Sequence, residues 1–177
     1  MTHLFVHYHL RTGGVSRVIE HEIAYFREQQ LPHHVISATP RPGDPHHHVL
    51  AALDYDPAPA SRDAHAIAAQ LLACAAGLPA PHIWHVHNPL LGCHPAFTAA
   101  THLLLQRGER MIWHLHDFAE DRRPEQLAAL QDQPARFARA SHLRYIVLSQ
   151  RDASILQAAG LPLSLIHISE PTRPRLI

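Results

Sequence analysis

The sequence contains no lysine, because all 15 of its cationic residues are arginine. A phosphate-binding P-loop depends on a lysine that reaches the phosphates, so the composition excludes that class of nucleotide-binding protein. Acidic and basic residues balance to a formal net charge of zero, which gives no electrostatic reason to expect a nucleic-acid partner. Alanine, proline and histidine are abundant, so we attribute the missing lysine to a GC-rich genome and not to function.

Cysteine and long apolar runs are also scarce. Cys74 and Cys93 are far apart and form no CxxC pair, which favours buried thiols in a reducing compartment over a disulfide framework. No apolar run approaches the roughly 20 residues of a membrane span, and the first residues predict a strand and not a secretory leader. We therefore expect a soluble, cytoplasmic protein.

Two short stretches have the pattern of buried parallel strands whose last residues turn polar. Residues 111–117 run Met-Ile-Trp-His-Leu-His-Asp, and residues 83–88 run Ile-Trp-His-Val-His-Asn. Because side chains alternate along a strand, His114 and His116 share one face of the first stretch, and the two histidines of the second stretch do likewise. Ligands bind at the carboxyl edge of open α/β sheets, so we expect a polar cleft lined with imidazoles there.

The rest of the chain alternates apolar strand patterns with helical ones. This alternation predicts an α/β fold, a doubly wound Rossmann-like parallel sheet with helices on both faces. Such a sheet supports many functions, so the fold alone decides little. Strands are predicted at residues 4–10, 33–38, 81–87, 111–117 and 144–148.

Thr12-Gly13-Gly14 joins the first predicted strand to an amphipathic helix over residues 15–29. Backbone N–H groups at the start of such a helix are able to receive a phosphate, although two glycines also serve simply to turn the chain. The third glycine of the dinucleotide-binding fingerprint is absent, and position 17 is arginine. Arg17 falls in the first helical turn, where it either reaches an anion or is solvated.

Histidine is the main candidate metal ligand. The His-His-His run at residues 46–48 lies in a proline-rich segment, and three adjacent side chains cannot all reach one ion, so we interpret the run as a solvated loop. His85 and His114 are interpreted as core residues hydrogen-bonded within the sheet. His116 differs, because an acidic residue and a charged loop follow it directly.

A set of motifs, in this order along the chain, resembles the amino-terminal domain of GT-B glycosyltransferases of the GT4 type. The set consists of the Gly13-Gly14-Val15-Ser16-Arg17 loop, the strand endings His-x-His-Asn and His-x-His-Asp, and the strand Tyr-Ile-Val-Leu-Ser. The resemblance covers about residues 3–162, and the run that begins at His116 and ends at Pro124 is similar to a subgroup signature. It implies half of a two-domain retaining glycosyltransferase, in which the amino domain holds the acceptor and the carboxyl domain most of the nucleotide-sugar, with no required metal. The carboxyl domain, with its paired glutamates, is absent from this sequence, so we expect the fragment by itself to be inactive.

The resemblance also implies roles for particular residues. Gly13 and Gly14 would approach the donor diphosphate, and His116 would face the transferred sugar or the reaction centre. Fixed backbone donors stabilise the charge that builds on the diphosphate as the sugar–phosphate bond breaks. The other candidates, for acceptor contacts or for holding the loops in place, are Arg17, His87, Asn88 and Asp117.

Residues 163–177 require a separate interpretation. The eleven residues Leu-Ser-Leu-Ile-His-Ile-Ser-Glu-Pro-Thr-Arg resemble the in-frame translation of a transposase-type sequencing adapter. We therefore expect the native amino-terminal domain to occupy residues 1–162, and residues 163–177 not to be native. The alternation Leu-Ser-Leu-Ile-His-Ile is nevertheless typical of a strand.

Two alternatives remain open. A zinc hydrolase would use the His-x-His pairs, each of which is able to place two imidazoles on one metal, but neither pair continues into a further histidine at hydrolase spacing. A non-catalytic sugar- or nucleotide-binding module needs only the one domain. A peripheral membrane contact is a further option, for which a solvated face is the preferred interpretation, and its candidate residues are Arg136, Arg139, Arg144 and Arg151.

Overall fold

The computed structural model describes residues 1–55, 63–131 and 136–169. In this part of the chain the strands form one seven-stranded sheet, and every neighbouring pair is parallel. The strands are β1 (Thr2–Val6), β2 (His33–Ser37), β3 (His47–Val49), β4 (His82–His87), β5 (Met111–Leu115), β6 (Leu143–Val147) and β7 (Ile166–Ile168). Their order across the sheet is β3-β2-β1-β4-β5-β6-β7.

Helices flank this sheet on both faces, which confirms the predicted α/β fold. One face carries the first helix, whose Ile19 and Ile23 pack with Phe5 and Val35. The other face carries helices whose buried residues join the larger hydrophobic cluster with Trp84 and other strand residues. The helices are α1 (Gly14–Glu28), α2 (Ala64–Ala76), α3 (Pro95–Gln106), α4 (Pro124–Ala129) and α5 (Gln150–Ala158).

Strand β5 shows why these residues form a central strand. Met111, Trp113 and Leu115 are 0–2% exposed and point into the larger cluster beneath α2 and α3. His114, between them in sequence, points to the opposite face, where α1 packs. Because both faces are covered, the strand is apolar along most of its length, and its one buried polar side chain requires polar partners on the α1 side.

Both ends of α5 are defined by local contacts and backbone geometry. The Ser149 side chain accepts a hydrogen bond from the Asp152 amide, and its hydroxyl donates to the Asp152 carboxylate at 2.7 Å. Gly160 follows the helix with a φ of 85°, a left-handed conformation that glycine adopts without a steric penalty.

The prediction that the histidine run at residues 46–48 forms a solvated loop is wrong for its last two residues. Its last two residues open the edge strand β3, which pairs with β2. His47 Nε2 lies 2.9 Å from the Ser37 hydroxyl, and His48 Nε2 lies 3.0 Å from His34 Nδ1. The backbone pairing orients neighbouring histidines toward different partners, so the run does not converge on one point.

The last described residues form β7, which adds a parallel edge strand beside β6. Residues 170–177, the rest of the adapter-like stretch, lie outside the described residues. Cys74 and Cys93 are both half-buried free thiols. Among the described helices, none combines the length and the apolar character that a membrane crossing requires.

Candidate functional site

The candidate site lies at the carboxyl edge of the sheet, where the strand order reverses. Strands β2 and β3 extend from β1 to one side, whereas β4 to β7 extend to the other, so connections leave β1 and β4 in opposite directions. In doubly wound sheets this reversal point is where ligands bind. Residues 13–14 follow β1, residues 87–88 end β4, and residues 116–117 follow β5, so the predicted site residues gather at this edge.

The loop after β1 leads into an uncapped helix amino terminus. No side chain caps α1 at Gly13, and its first turn contains no acidic residue. A Cβ atom on Gly14 would meet no atom within 4 Å, and one on Gly13 would lie 3.9 Å from the Arg11 carbonyl. Neither packing nor a left-handed backbone therefore explains the two glycines, and no side-chain cap satisfies the N–H groups of the first turn. Arg17, in the same turn, is exposed.

Asn88 connects the ends of β4 and β5. Its Oδ1 accepts from the His116 amide at 2.7 Å and from the Asp117 amide at 3.3 Å, while its Nδ2 donates to the Asp117 carboxylate at 3.3 Å. The Tyr8 hydroxyl donates to the Asn88 carbonyl at 2.9 Å. Asn88 is 2% exposed and has a φ of 52°, a left-handed conformation that asparagine tolerates better than most residues. Its observed contacts therefore hold the loops that carry His116 and Asp117.

His116 lies above a column of histidines that starts inside the sheet. Its Nε2 is 2.9 Å from His87 Nδ1, and its ring stacks on that of His114 with centroids 4.1 Å apart. His7 Nδ1 in turn donates to the His87 carbonyl at 3.2 Å. Asp117, the next residue after His116, accepts an ion-pair contact from Arg123 at 3.3 Å. The geometry thus fixes the His116 ring from below and leaves it half-buried at the sheet edge.

Deeper in the same face lies a group that we call the inner histidine cluster, formed by Glu22, His85, His87 and His114. His85 Nε2 lies 3.2 Å from His114 Nδ1, so these two predicted core histidines are buried and partner each other. Glu22 reaches down from α1 and places its two carboxylate oxygens 3.3 Å from His87 Nε2 and 3.4 Å from His114 Nδ1.

Burial controls the protonation of these groups. It lowers the pKa values of His85 and His87 well below the usual histidine range, with repulsion from neighbouring imidazoles adding to the effect. Burial and the nearby His114 lower the pKa of His116 to about 3. Burial acts to raise the pKa of Glu22, but its contacts with the imidazoles outweigh this and lower it. At neutral pH the site therefore presents neutral His85, His87 and His116 beside a carboxylate.

Glu22 is the site residue that the sequence reasoning missed. The apolar stripe of α1 contains Ile19, Ile23 and Phe26, and Glu22 occupies the remaining i+3 position of that same stripe. A carboxylate at a core-facing position of an amphipathic helix requires a polar partner on the surface beneath it. That signal was available in the sequence, although the partners themselves were not.

Two of the four arginines considered for a membrane contact are engaged in ion pairs. Arg136 pairs with Glu120, and Arg151 pairs with Asp121 at 2.6 Å.

No protein-family model matches the chain, and a search of the curated proteins finds no match either.

Proposed function

We propose that residues 1–162 form the acceptor-side domain of a retaining glycosyltransferase of GT-B architecture, which moves a sugar from a nucleotide-sugar to an acceptor. The observation that carries this proposal is the meeting of three features at one edge of the sheet. These are the uncapped start of α1 after Gly14, the Asn88 bridge, and the half-buried His116. A donor-binding domain would follow residue 162 in the complete protein and close the cleft from the other side.

The start of α1 supports the proposed contact with the donor diphosphate. Free N–H groups and the positive end of the helix dipole attract an anion, and the absence of acidic residues in the first turn leaves that attraction unopposed. Gly13 and Gly14 carry no side chain that would keep a diphosphate from the backbone. Fixed donors of this kind stabilise the charge that develops on the leaving diphosphate without reorganising during the reaction.

His116 supports the proposed contact with the transferred sugar. It is neutral at pH 7, and its Nε2 contacts His87, so Nδ1 is the ring nitrogen left to bond a sugar hydroxyl. The Asn88 side chain accepts from the amides of His116 and Asp117, and so it fixes the backbone on both sides of the His116 residue. A ring held in this way offers a hydrogen bond in a set direction, which favours a stabilising role over proton transfer.

The first test is to amplify and sequence the source DNA downstream of the codon for Pro162. We expect the frame to continue into a second strand–helix domain that contains two glutamates spaced to bind a nucleotide-sugar. An authentic stop codon after Ile177 would contradict the proposal, and the non-catalytic binding module would replace it.

In the complete protein, His116→Ala is expected to lower kcat by about 100-fold, the usual cost of removing one preorganised donor from a reaction centre. The measurement is the rate of nucleoside diphosphate release at saturating nucleotide-sugar. His21→Ala, on the exposed side of α1, is the matched control and is expected to leave kcat unchanged. An unchanged kcat in His116→Ala, with the same unfolding midpoint as wild type, would remove His116 from the reaction centre.

A further inference from the structure

The inner histidine cluster brings together four metal-ligating side chains from three elements. His85 and His87 are alternate residues of β4, His114 stands directly opposite His87 on β5, and Glu22 descends from α1. One ligand atom from each residue lies within 4.8 Å of all the others. Neither strand nor helix alone would assemble this set, since it depends on the register of β4 with β5 and on the packing of α1.

Three of the distances between these side chains are close to those of a tetrahedral metal site. With metal–ligand bonds of about 2.0–2.1 Å, the ligand atoms of a tetrahedron lie about 3.3–3.4 Å apart. The three close distances in the cluster are 3.2 Å between His85 and His114, 3.3 Å between His87 and Glu22, and 3.4 Å between His114 and Glu22. The two Glu22 distances involve different carboxylate oxygens, and the full set of ligand atoms lies within 4.8 Å, so an ion would draw some of these atoms closer together.

The cluster also holds buried polar atoms that the protein itself does not satisfy. Glu22 Oε2 and His87 Nε2, which lie 3.3 Å apart, are both buried without a hydrogen-bond partner. His87 is 0% exposed, and its Nε2 points toward the Glu22 carboxylate. Unsatisfied polar atoms are uncommon in protein interiors, so a hydrogen-bond network alone is a poor explanation for this arrangement.

We propose that Glu22, His85, His87 and His114 bind one divalent transition-metal ion, with Zn²⁺ as the best match to three imidazoles and a carboxylate. The rings of His85 and His87 are stacked 4.5 Å apart and nearly parallel, so binding requires His85 to rotate about χ2, since His87 Nδ1 keeps its contact with His116. This torsion is broad in histidine, which makes the rotation inexpensive. The ion would give metal–ligand bonds to the two unsatisfied atoms, His87 Nε2 and Glu22 Oε2.

This site would be structural and not hydrolytic. All four ligand positions are filled by the protein, and the three histidines are 0–5% exposed, whereas a catalytic zinc keeps a position open for water. Binding through His87 Nε2 would leave His87 Nδ1–H to donate to His116 Nε2, so the ion would fix the orientation of His116. The metal site does not depend on the proposed transferase function, because its test measures metal binding alone.

The experiment is a zinc titration of the chelator-treated chain by calorimetry, together with Co²⁺ absorption spectroscopy. We expect one equivalent of Zn²⁺, the intense visible bands of tetrahedral Co²⁺, and a Tm increase of about 5–10 °C at zinc concentrations 100-fold above Kd. Glu22→Gln, which preserves the shape of the side chain, is expected to weaken binding at least about 100-fold and to alter the Co²⁺ spectrum. His87→Ala is expected to abolish binding.

A chain with 19 histidines requires a control for adventitious binding. The matched control is the double variant His46→Ala/His48→Ala, which removes the histidine contacts at the β2–β3 edge and is expected to retain full affinity. Because Glu22 is only partly buried, Glu22→Gln is expected to fold even if His87→Ala does not. Affinity unchanged in Glu22→Gln, affinity lost in the double variant, or absence of stoichiometric binding would each overturn the proposal.

Discussion

Acidification from pH 7.5 to pH 4.5 is expected to unfold the metal-free chain. The cause is the set of histidines buried in a neutral form on the α1 side of the sheet. Burial lowers the pKa of His7 to about 4, with a smaller contribution from His9, against about 6.5 in an unfolded chain. Burial likewise lowers the pKa values of His85, His87 and His116.

The direction follows from proton linkage. Below about pH 6.5 the unfolded chain binds protons at these histidines while the folded chain does not. The free energy of unfolding therefore decreases as the pH is lowered. His7 alone contributes a slope of about 1.4 kcal/mol per pH unit, or roughly 3 kcal/mol between pH 6.5 and its folded pKa of about 4. Glu22 acts in the same direction only below about pH 4.5, because its pKa is lowered in the fold, so it does not contribute between pH 7.5 and pH 4.5. Since domains are stable by only about 5–15 kcal/mol, these losses together are sufficient to unfold the chain.

The measurement is urea unfolding, followed by tryptophan fluorescence, at half-unit steps from pH 7.5 to pH 4.5 with a chelator present. His7→Phe is expected to reduce the slope of unfolding free energy against pH by about 1.4 kcal/mol per unit, whatever its effect on stability at pH 7.5. His65→Gln, at an exposed position of α2, is the control and is expected to leave the slope unchanged. Equal stability at the two ends of the range would show that the histidines are not buried in neutral form.

Asn88→Ala is expected to lower the free energy of unfolding by about 3–6 kcal/mol. The substitution removes the acceptor of the His116 and Asp117 amides, which costs about 1–2 kcal/mol for each. It also places alanine at a φ of 52°, where the left-handed conformation costs about 1–2 kcal/mol more. In the complete transferase the same change is expected to reduce kcat, because the peptide that positions His116 loses its anchor.

Two further variants separate these contributions, and the measurement for each is equilibrium urea unfolding at pH 7.5. Asn88→Gly removes the side-chain contacts but accepts the left-handed backbone, so it is expected to be about 1 kcal/mol more stable than Asn88→Ala. Asn88→Asp keeps the Oδ1 acceptor but replaces the donor toward Asp117 with a second carboxylate, so its deficit is expected to shrink as salt is added. A loss of less than 1 kcal/mol in Asn88→Ala would show that the bridge does not hold the two loops.

The sequence predicted the polar strand ends well because the information there is local. Alternation along β4 and β5 placed His85 with His87, and His114 with His116, on common faces, and the structure has these pairs on the α1 side of the sheet. The histidine run at residues 46–48 was predicted less well, since an edge strand of three residues has too few positions to show an alternation.

What the sequence by itself determined is the α/β layout, the faces of the central strands, and the glycine loop that begins α1, since each depends on residues only a few positions apart. Tertiary structure decided which groups meet. Asn88 bonds the amides of residues 28 and 29 positions later, and His87 meets His116 across 29 positions. Those pairings follow from the register of β4 with β5. The position of Glu22 beside the buried histidines follows from the packing angle of α1 on the sheet. Local periodicity does not determine either quantity, because register and packing angle depend on how the side chains of two elements pack against each other.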